Sequence, residues 1–513
     1  MEGTVTRQDA DRPAPDDVAQ QVRQECEAII NWCRSCADPF SDFEDGLWVR
    51  VMRLACLLVR LFLMARRERS DLKPHLADDL YRLGDPEAQR QLQTRFGEVT
   101  YARPYLICRA GGSGYHPLDA ELGLTRDGFS PWVIQFVCRL TTRLSFAASR
   151  TVCRSAFGWS PSTEVIEKWV MGLGRHAQPF AQQKAAPPND GEVLVIEVDG
   201  KCPPTATEEE LRKRRGPRSH AAKCGCGCQR HRGQAKRKRR GSKKRRKKGD
   251  KSKNGKEVMV VVMYTLRRGD DGRLHGPINK RVWASFAGRK SAAAWARAEA
   301  TKRGFGPDTT KVVQIVLDGA KGLKQNLEPL FPKAIFTLDV CHVVERLWAL
   351  GHHFHAEASE ELKACVEEWK ELVYGGREAE LIERLQTLLK QVPRHGPGTK
   401  GRRQALAAQI KYLEPRLAMM RYHEWRQQDL VLASGQVEGA VRHVVGERLD
   451  CAGMRWIPGR AEALLHLRCI ELNGDWDEFI AWTAGQHQAM LIARQTVLIR
   501  TNQPLDCTFT QAV

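Results

Sequence analysis

The 513-residue sequence has no long uncharged apolar run. Its most apolar early stretch, Leu47–Arg67, is broken by Arg50, Arg53 and Arg60. A bilayer span needs ~20 largely apolar residues, so this pattern reads as an amphipathic helix and no membrane association is expected. The opening MEGTVTRQDADRPAPDD lacks the apolar core of a secretory signal. The sixteen cysteines follow no regular spacing, which argues against a disulfide framework and for reduced thiols in a cytoplasmic protein. Cys33-x-x-Cys36 has no second pair in view, so it is a weak metal motif.

One region has almost no acidic or apolar residues. Residues 212–256 hold 22 Lys and Arg against a single acid, Asp250, a surplus of 21 that equals the net charge of the whole chain. Such a segment cannot bury a core and reads as a flexible arm. Its charge points to a polyanion, of which nucleic acid is the commonest. Arms of this kind grip phosphates without reading sequence. Within it, Cys224, Cys226, Cys228 and His231 could bind Zn²⁺, although Cys-x-Cys spacing is tight for one tetrahedral site.

The remaining chain alternates between helical and strand patterns. Residues 1–20 read as disordered, 21–95 as helical, and 96–185 as a further helical region with a small strand pair near Thr100–Cys108. Within Ser145–His176 the pattern is helix, turn, helix, with Ser160-Pro161 suited to the N-cap and first turn. This fits either a DNA-reading helix-turn-helix or a plain helical hairpin. Strands are expected at Val193–Lys201, at Glu257–Arg268, at Val282–Phe286, at Val312–Leu317 and at Ala334–Asp339, with a helix at Ser291–Arg303. Alternation of this kind predicts an α/β core over 190–343. Helices follow over 344–430, then a last core segment over 431–485 and a tail over 486–513.

Three carboxylates stand at the edges of that core. Asp199 ends the first strand, Asp318 ends the fourth, and Glu438 follows the small-residue turn SGQ; the intervals are 119 and 120 residues. Asp-Gly after a strand can simply be a turn, and Glu447 competes with Glu438 for the third place. Converging carboxylates without a cation repel, so the set makes physical sense as a site for two Mg²⁺ (or Mn²⁺) ions acting on phosphodiesters.

The segments VIEVDGK, VLDGAKGL, LDVCHVVERLW and SGQVEGAVRHVVGERLDCAGMRW together resemble the catalytic core of bacterial insertion-sequence DDE transposases of the ISKra group, related to Mutator-like transposases. The resemblance covers Val193–Trp476. It implies an RNase H-like fold with a large all-helical insertion, preceded by a mainly helical DNA-binding region. It implies Asp199, Asp318 and Glu438 as the metal-binding triad, and a supporting signature at Asp339 and His342, with Cys341 between them. Asp339 could instead cap the next helix, or take the catalytic place of Asp318. Arg455 and Trp456 match the group and would support the site or touch DNA. Lys201, Lys321 and Arg442 flank the triad and could neutralise phosphate, or merely be solvated. The implied partners are element-end and target double-stranded DNA and further copies of the chain. The relatives' Cys-rich amino-terminal module has no counterpart beyond Cys108. An inactive, domesticated DNA-binding protein and an RNase H-like nuclease without strand transfer are the alternatives.

Overall fold

The computed structural model describes residues 15–76, 80–109, 111, 114–215, 255–320 and 322–487. The basic segment beyond residue 215, with Cys224, Cys226, Cys228 and His231, lies outside the described residues, as do Lys321, the first 14 residues and the tail from 488. The chain divides into two compact units, Ala177–Asp475 and the combination of Met1–His176 with Trp476–Val513.

In the unit containing the amino-terminal residues, helices Pro15–Ser35 and Phe40–Arg69 form an antiparallel pair. Trp32 stacks on Phe43 and Arg50 lies over the Trp32 ring. Where sequence periodicity predicts more helix up to Leu92, the structure has strands. β1 (Tyr81–Leu83) pairs with β4 (Leu106–Cys108), and β2 (Ala88–Gln93) with β3 (Glu98–Arg103), each antiparallel. AQRQLQ alternates with period two, which suits a half-buried strand. Its Arg90 and the Arg103 of β3 both pair with the buried Asp119.

Three helices follow, Pro131–Arg143, Phe146–Phe157 and Thr163–Gly174. Ser145 and Ser162 cap the second and third through their hydroxyls. The third helix therefore starts two residues later than the Ser160-Pro161 signal suggests. Gly158 closes the second helix in the left-handed region, at φ 76°. The third helix carries Glu164, Glu167 and Lys168 on its less buried face.

The other unit is a mixed α/β fold around one five-stranded sheet. Its strands are β5 (Val193–Lys201), β6 (Val258–Arg268), β7 (Leu274–Ser285), β8 (Val312–Leu317) and β9 (Ile335–Leu338), in the order β7-β6-β5-β8-β9. β5, β8 and β9 run parallel; β6 is antiparallel to both its neighbours. The near-continuous aliphatic runs of β5 and β6 are buried throughout their central residues, as expected for strands covered on both faces. β7 extends eight residues earlier than its apolar stretch predicts, because its first half is largely exposed.

Helix Val340–Gly351 follows β9 and leads to helices Glu360–Tyr374, Glu378–Gln391 and Thr399–Leu413. The chain returns through a 3₁₀ turn (Glu414–Met419) and a short helix (Tyr422–Gln427) to the segment bearing Glu438. Among the described residues, no helix is long and apolar enough to cross a membrane, and the twelve described cysteines are free thiols.

Candidate active site

The parallel ladder fixes where the acidic residues stand. Val198 of β5 is in register with Leu317 of β8, and Leu317 with Leu338 of β9. The next residues along the three strands are Asp199, Asp318 and Asp339. Three carboxylates thus sit at equivalent places on three neighbouring strands, which lie ~4.8 Å apart. They occupy the carboxyl ends of the parallel strands, where open α/β sheets commonly place their ligands.

Each Asp is held differently. Asp199 Oδ1 accepts from the Gly200 N–H at 2.6 Å. Asp318 Oδ1 accepts from Ala320 N at 2.8 Å, so a turn is present as Asp-Gly predicts. That turn is braced from outside the sheet. The Tyr412 hydroxyl donates to the Asp318 carbonyl at 2.7 Å, and Arg416 donates to the Gly319 carbonyl at 2.9 Å. Gly319 has φ 77°, and a Cβ there would strike the Tyr412 hydroxyl. Helix Thr399–Leu413 and the turn after it therefore buttress the end of β8.

Asp339 is almost fully buried. One oxygen caps helix Val340–Gly351 by accepting from Cys341 N at 2.7 Å. The other accepts from both the N–H and the hydroxyl of Ser434. The capping role that the sequence leaves open is thus present, together with a second anchoring role.

Ser434 begins a run of anchors that delivers Glu438. Gln314 of β8 clasps Val431 through both its amide oxygen and nitrogen, and Val340 N donates to Leu432 O at 3.0 Å. Lys280 donates to the Gln436 side chain at 2.7 Å. Glu197 Oε2 accepts from Val437 N at 2.8 Å, while its Oε1 accepts from the Tyr264 hydroxyl at 2.7 Å. Glu438 follows directly, exposed on helix Gly435–Ala440. Beyond it Val441–Gly446 is π-helical, a distortion frequent at functional sites. Glu447 lies past this bulge, paired with His443 and Arg468.

Electrostatics bring the set together. Burial pushes the Asp199 carboxyl above the usual carboxylate range; the Gly200 N–H opposes this, Asp318 and Glu438 add to the rise, and His342 opposes it. Asp199 therefore senses the other two members of the predicted triad. Among the described residues, the group whose ligand atoms lie close enough to share one metal ion is Asp339, His342 and Glu438, with one ligand atom from each within 4.8 Å of the others; it takes in Glu438 of the predicted triad but not Asp199 or Asp318. His342 Nδ1 is buried without a hydrogen-bond partner among the described residues, 4.0 Å from the Asp339 carboxylate. Cys341, adjacent, is exposed, and its thiol is pushed up, mainly by burial and then by Asp339 and Glu438.

The basic flank is placed as follows. Lys201 lies 3.2 Å from Asp450. Arg442 and Arg455 are exposed. Arg289, paired with Glu257, also feels the Asp318 charge; the sequence alone does not single it out. Trp456 serves the scaffold: it bridges to Thr205, its indole N–H donates to the Leu449 carbonyl at 3.1 Å, and Arg448 lies over its ring. Glu197 escapes sequence reasoning because it looks like an outlier in a buried strand. A carboxylate within VLVIEV is itself the signal, since buried acids require partners.

No family model matches the sequence, and no curated protein matches it. Among solved structures, the Drosophila P element transposase strand transfer complex matches at TM-score 0.31 and 12% identity, over 70% of this chain and 95% of that chain. A likeness so distant assigns neither fold nor function, and the chemistry rests on the site itself.

Proposed function

We propose that this chain is a DDE-type DNA transposase of the insertion-sequence kind, with an RNase H-like core, cutting at element ends and joining them to target DNA. The observation that carries this reading is the row Asp199, Asp318, Asp339 at the carboxyl ends of three adjacent parallel strands, with Glu438 delivered to it. The sheet supports the fold reading: in sequence its strands are ordered 3-2-1-4-5, and the second alone is reversed. The motif resemblance to the ISKra group supplies the finer assignment.

The donor set fits hard divalent cations. Carboxylate oxygens from rigid strand ends and one helix are what Mg²⁺ or Mn²⁺ takes, leaving other positions for water and phosphate. The Asp199 carboxyl is raised first by burial and further by Asp318 and Glu438, charges that a bound cation would offset. Asp199, Asp318 and Glu438 would hold the cations, which when bound activate an attacking oxygen and stabilise a leaving one. Asp339 secures the Ser434 turn, and Glu197 secures the residue before Glu438. His342 presents an imidazole nitrogen beside Asp339 and Glu438, where it can serve as a further ligand or a proton carrier. Residues 212–256 supply phosphate affinity.

The test is a labelled duplex spanning the junction between the DNA flanking this gene and the neighbouring chromosome, incubated with a target plasmid in Mg²⁺ and in EDTA. The proposal expects metal-dependent cleavage and a joined product. Cleavage without joining would mark a nuclease. Binding without either would mark a DNA-binding descendant.

A further inference from the structure

Helix Phe40–Arg69 has three faces, and only two are covered by described residues. One meets helix Pro15–Ser35 through Phe43, Gly46 and Arg50. A second places Cys56, Val59 and Leu63 against Leu92, Val99 and Tyr101. The third is apolar and open. Trp48 is 53% exposed, Val51 39%, Leu58 48% and Phe62 54%. With the half-buried Ala55 these residues step by three, four, three and four, the spacing of a coiled-coil seam. Scattered surface apolar residues need no explanation, but a continuous stripe of large ones at this period does.

We propose that this stripe is a homodimer seam, in which the same helix of a second copy packs antiparallel about a two-fold axis at Ala55. The order of residues along the stripe selects that occupant. Trp48 and Phe62 lie seven residues to either side of Ala55, so an antiparallel copy sets each ring against the other. Glu44 and Arg66 lie eleven residues to either side, on the same face, and both are exposed. The two-fold axis therefore brings Glu44 of each copy to Arg66 of the other. Parallel pairing would instead set Glu44 against Glu44 and Arg66 against Arg66. Ala55 at the axis removes side-chain bulk where the helices approach closest. The Trp48–Phe62 and Glu44–Arg66 positions are self-complementary about Ala55, as an isologous contact requires, while Val51 and Leu58 fill the spaces between them. The seam from Glu44 to Arg66 runs roughly 33 Å at the helical rise, enough for three heptads.

Equilibrium sedimentation of the full chain, nuclease-treated and freed of nucleic acid so that DNA cannot bridge copies, and at moderate salt so that exposed ion pairs are not screened out, tests the inference. The wild type sediments as a dimer, and Phe62→Glu sediments as a monomer. Val49→Glu, exposed but off the stripe, leaves the dimer intact. Arg66→Glu weakens association about tenfold, and Glu44→Arg combined with Arg66→Glu restores it; parallel pairing predicts no such rescue. A monomeric wild type, or a dimer indifferent to Phe62→Glu, overturns the proposal. So does a monomeric full chain that dimerises when shortened to end at His487, because the chain's own last residues would then cover the stripe. None of these outcomes depends on the transposase reading.

Discussion

Glu197 and Val437 are 240 residues apart in sequence, yet the Glu197 carboxylate accepts the Val437 N–H at 2.8 Å. This bond joins the central strand of the sheet to the residue before Glu438. With the Asp339–Ser434 pair it makes the location of Glu438 a consequence of two buried acids that are not themselves proposed as principal metal ligands.

Removing the Glu197 anchor should therefore impair chemistry without touching DNA affinity. Glu197→Gln keeps an acceptor for Val437 N and keeps the volume, so cleavage stays within a few-fold of wild type. Glu197→Ala loses both and lowers the cleavage rate by ~10–100-fold, the usual cost of losing a supporting partner. Single-turnover cleavage alongside a binding titration separates the two effects.

Glu197 also predicts a pH dependence. Burial raises its carboxyl from the ordinary 4.5 to about 7, against the pull of its Tyr264 and Val437 bonds. A raised folded-state pKa gives stability that is full below the unfolded value and lost as pH climbs through the folded one. Wild type should thus lose stability relative to Glu197→Gln between pH ~4.5 and ~7, by on the order of 3 kcal/mol at most, and the difference should be flat above. Denaturant unfolding of both proteins across that range checks the slope; a constant difference would sink the prediction.

Crowding at the strand ends carries its own consequence. Asp199 is pushed up by burial, Asp318 and Glu438, so Asp199→Asn should relieve repulsion when no cation is present. Its melting temperature in EDTA is expected to rise by roughly 1–3 °C. The increase that Mg²⁺ gives wild type by binding the native state should disappear in the variant. Thermal melts with and without Mg²⁺ test both, and an undiminished Mg²⁺ response would remove Asp199 from the metal site.

Much of this site was legible in the sequence, for identifiable reasons. Val312–Leu317 is a strand at the expected bounds because a run of β-branched residues between turn signals has few other uses. Asp199 and Asp318 follow because strand ends are visible even when pairing is not. Glu197 was not legible, since its partners Tyr264 and Val437 are distant in sequence. Strands β1 and β2 were hidden in a helical pattern because short two-stranded pairs give few periodic positions. The open face of Phe40–Arg69 was obscured for another reason: periodicity reveals an apolar stripe but not whether anything covers it.

The choice between Glu438 and Glu447 can be settled by substitution. Glu447 is engaged with His443 and Arg468 beyond the π-helical turn. Glu447→Gln should leave cleavage within about threefold and cost at most ~1 kcal/mol of stability. Glu438→Gln should lower cleavage by more than about 100-fold with stability unchanged. The reverse pattern in paired cleavage and unfolding assays would move the third ligand to Glu447.

The charge of residues 212–256 predicts steep salt sensitivity. Deleting them removes a surplus of 21 positive charges. The slope of log affinity against log salt should shallow by about 0.9 for each phosphate that the arm no longer neutralises. Binding titrations at several salt concentrations measure it, and an unchanged slope would assign phosphate binding elsewhere.

Above all, Asp318 is proposed to belong to a metal site and not merely to the turn it also forms. The decisive assay is cleavage of the labelled element-end duplex by wild type and by Asp318→Asn, in Mg²⁺ and in EDTA. Wild type should cut only with the metal. The variant should not cut at all, while still binding the duplex with wild-type affinity. Cutting by Asp318→Asn at the wild-type rate would refute the assignment and leave Asp339, His342 and Glu438 as the metal-binding group to be tested next.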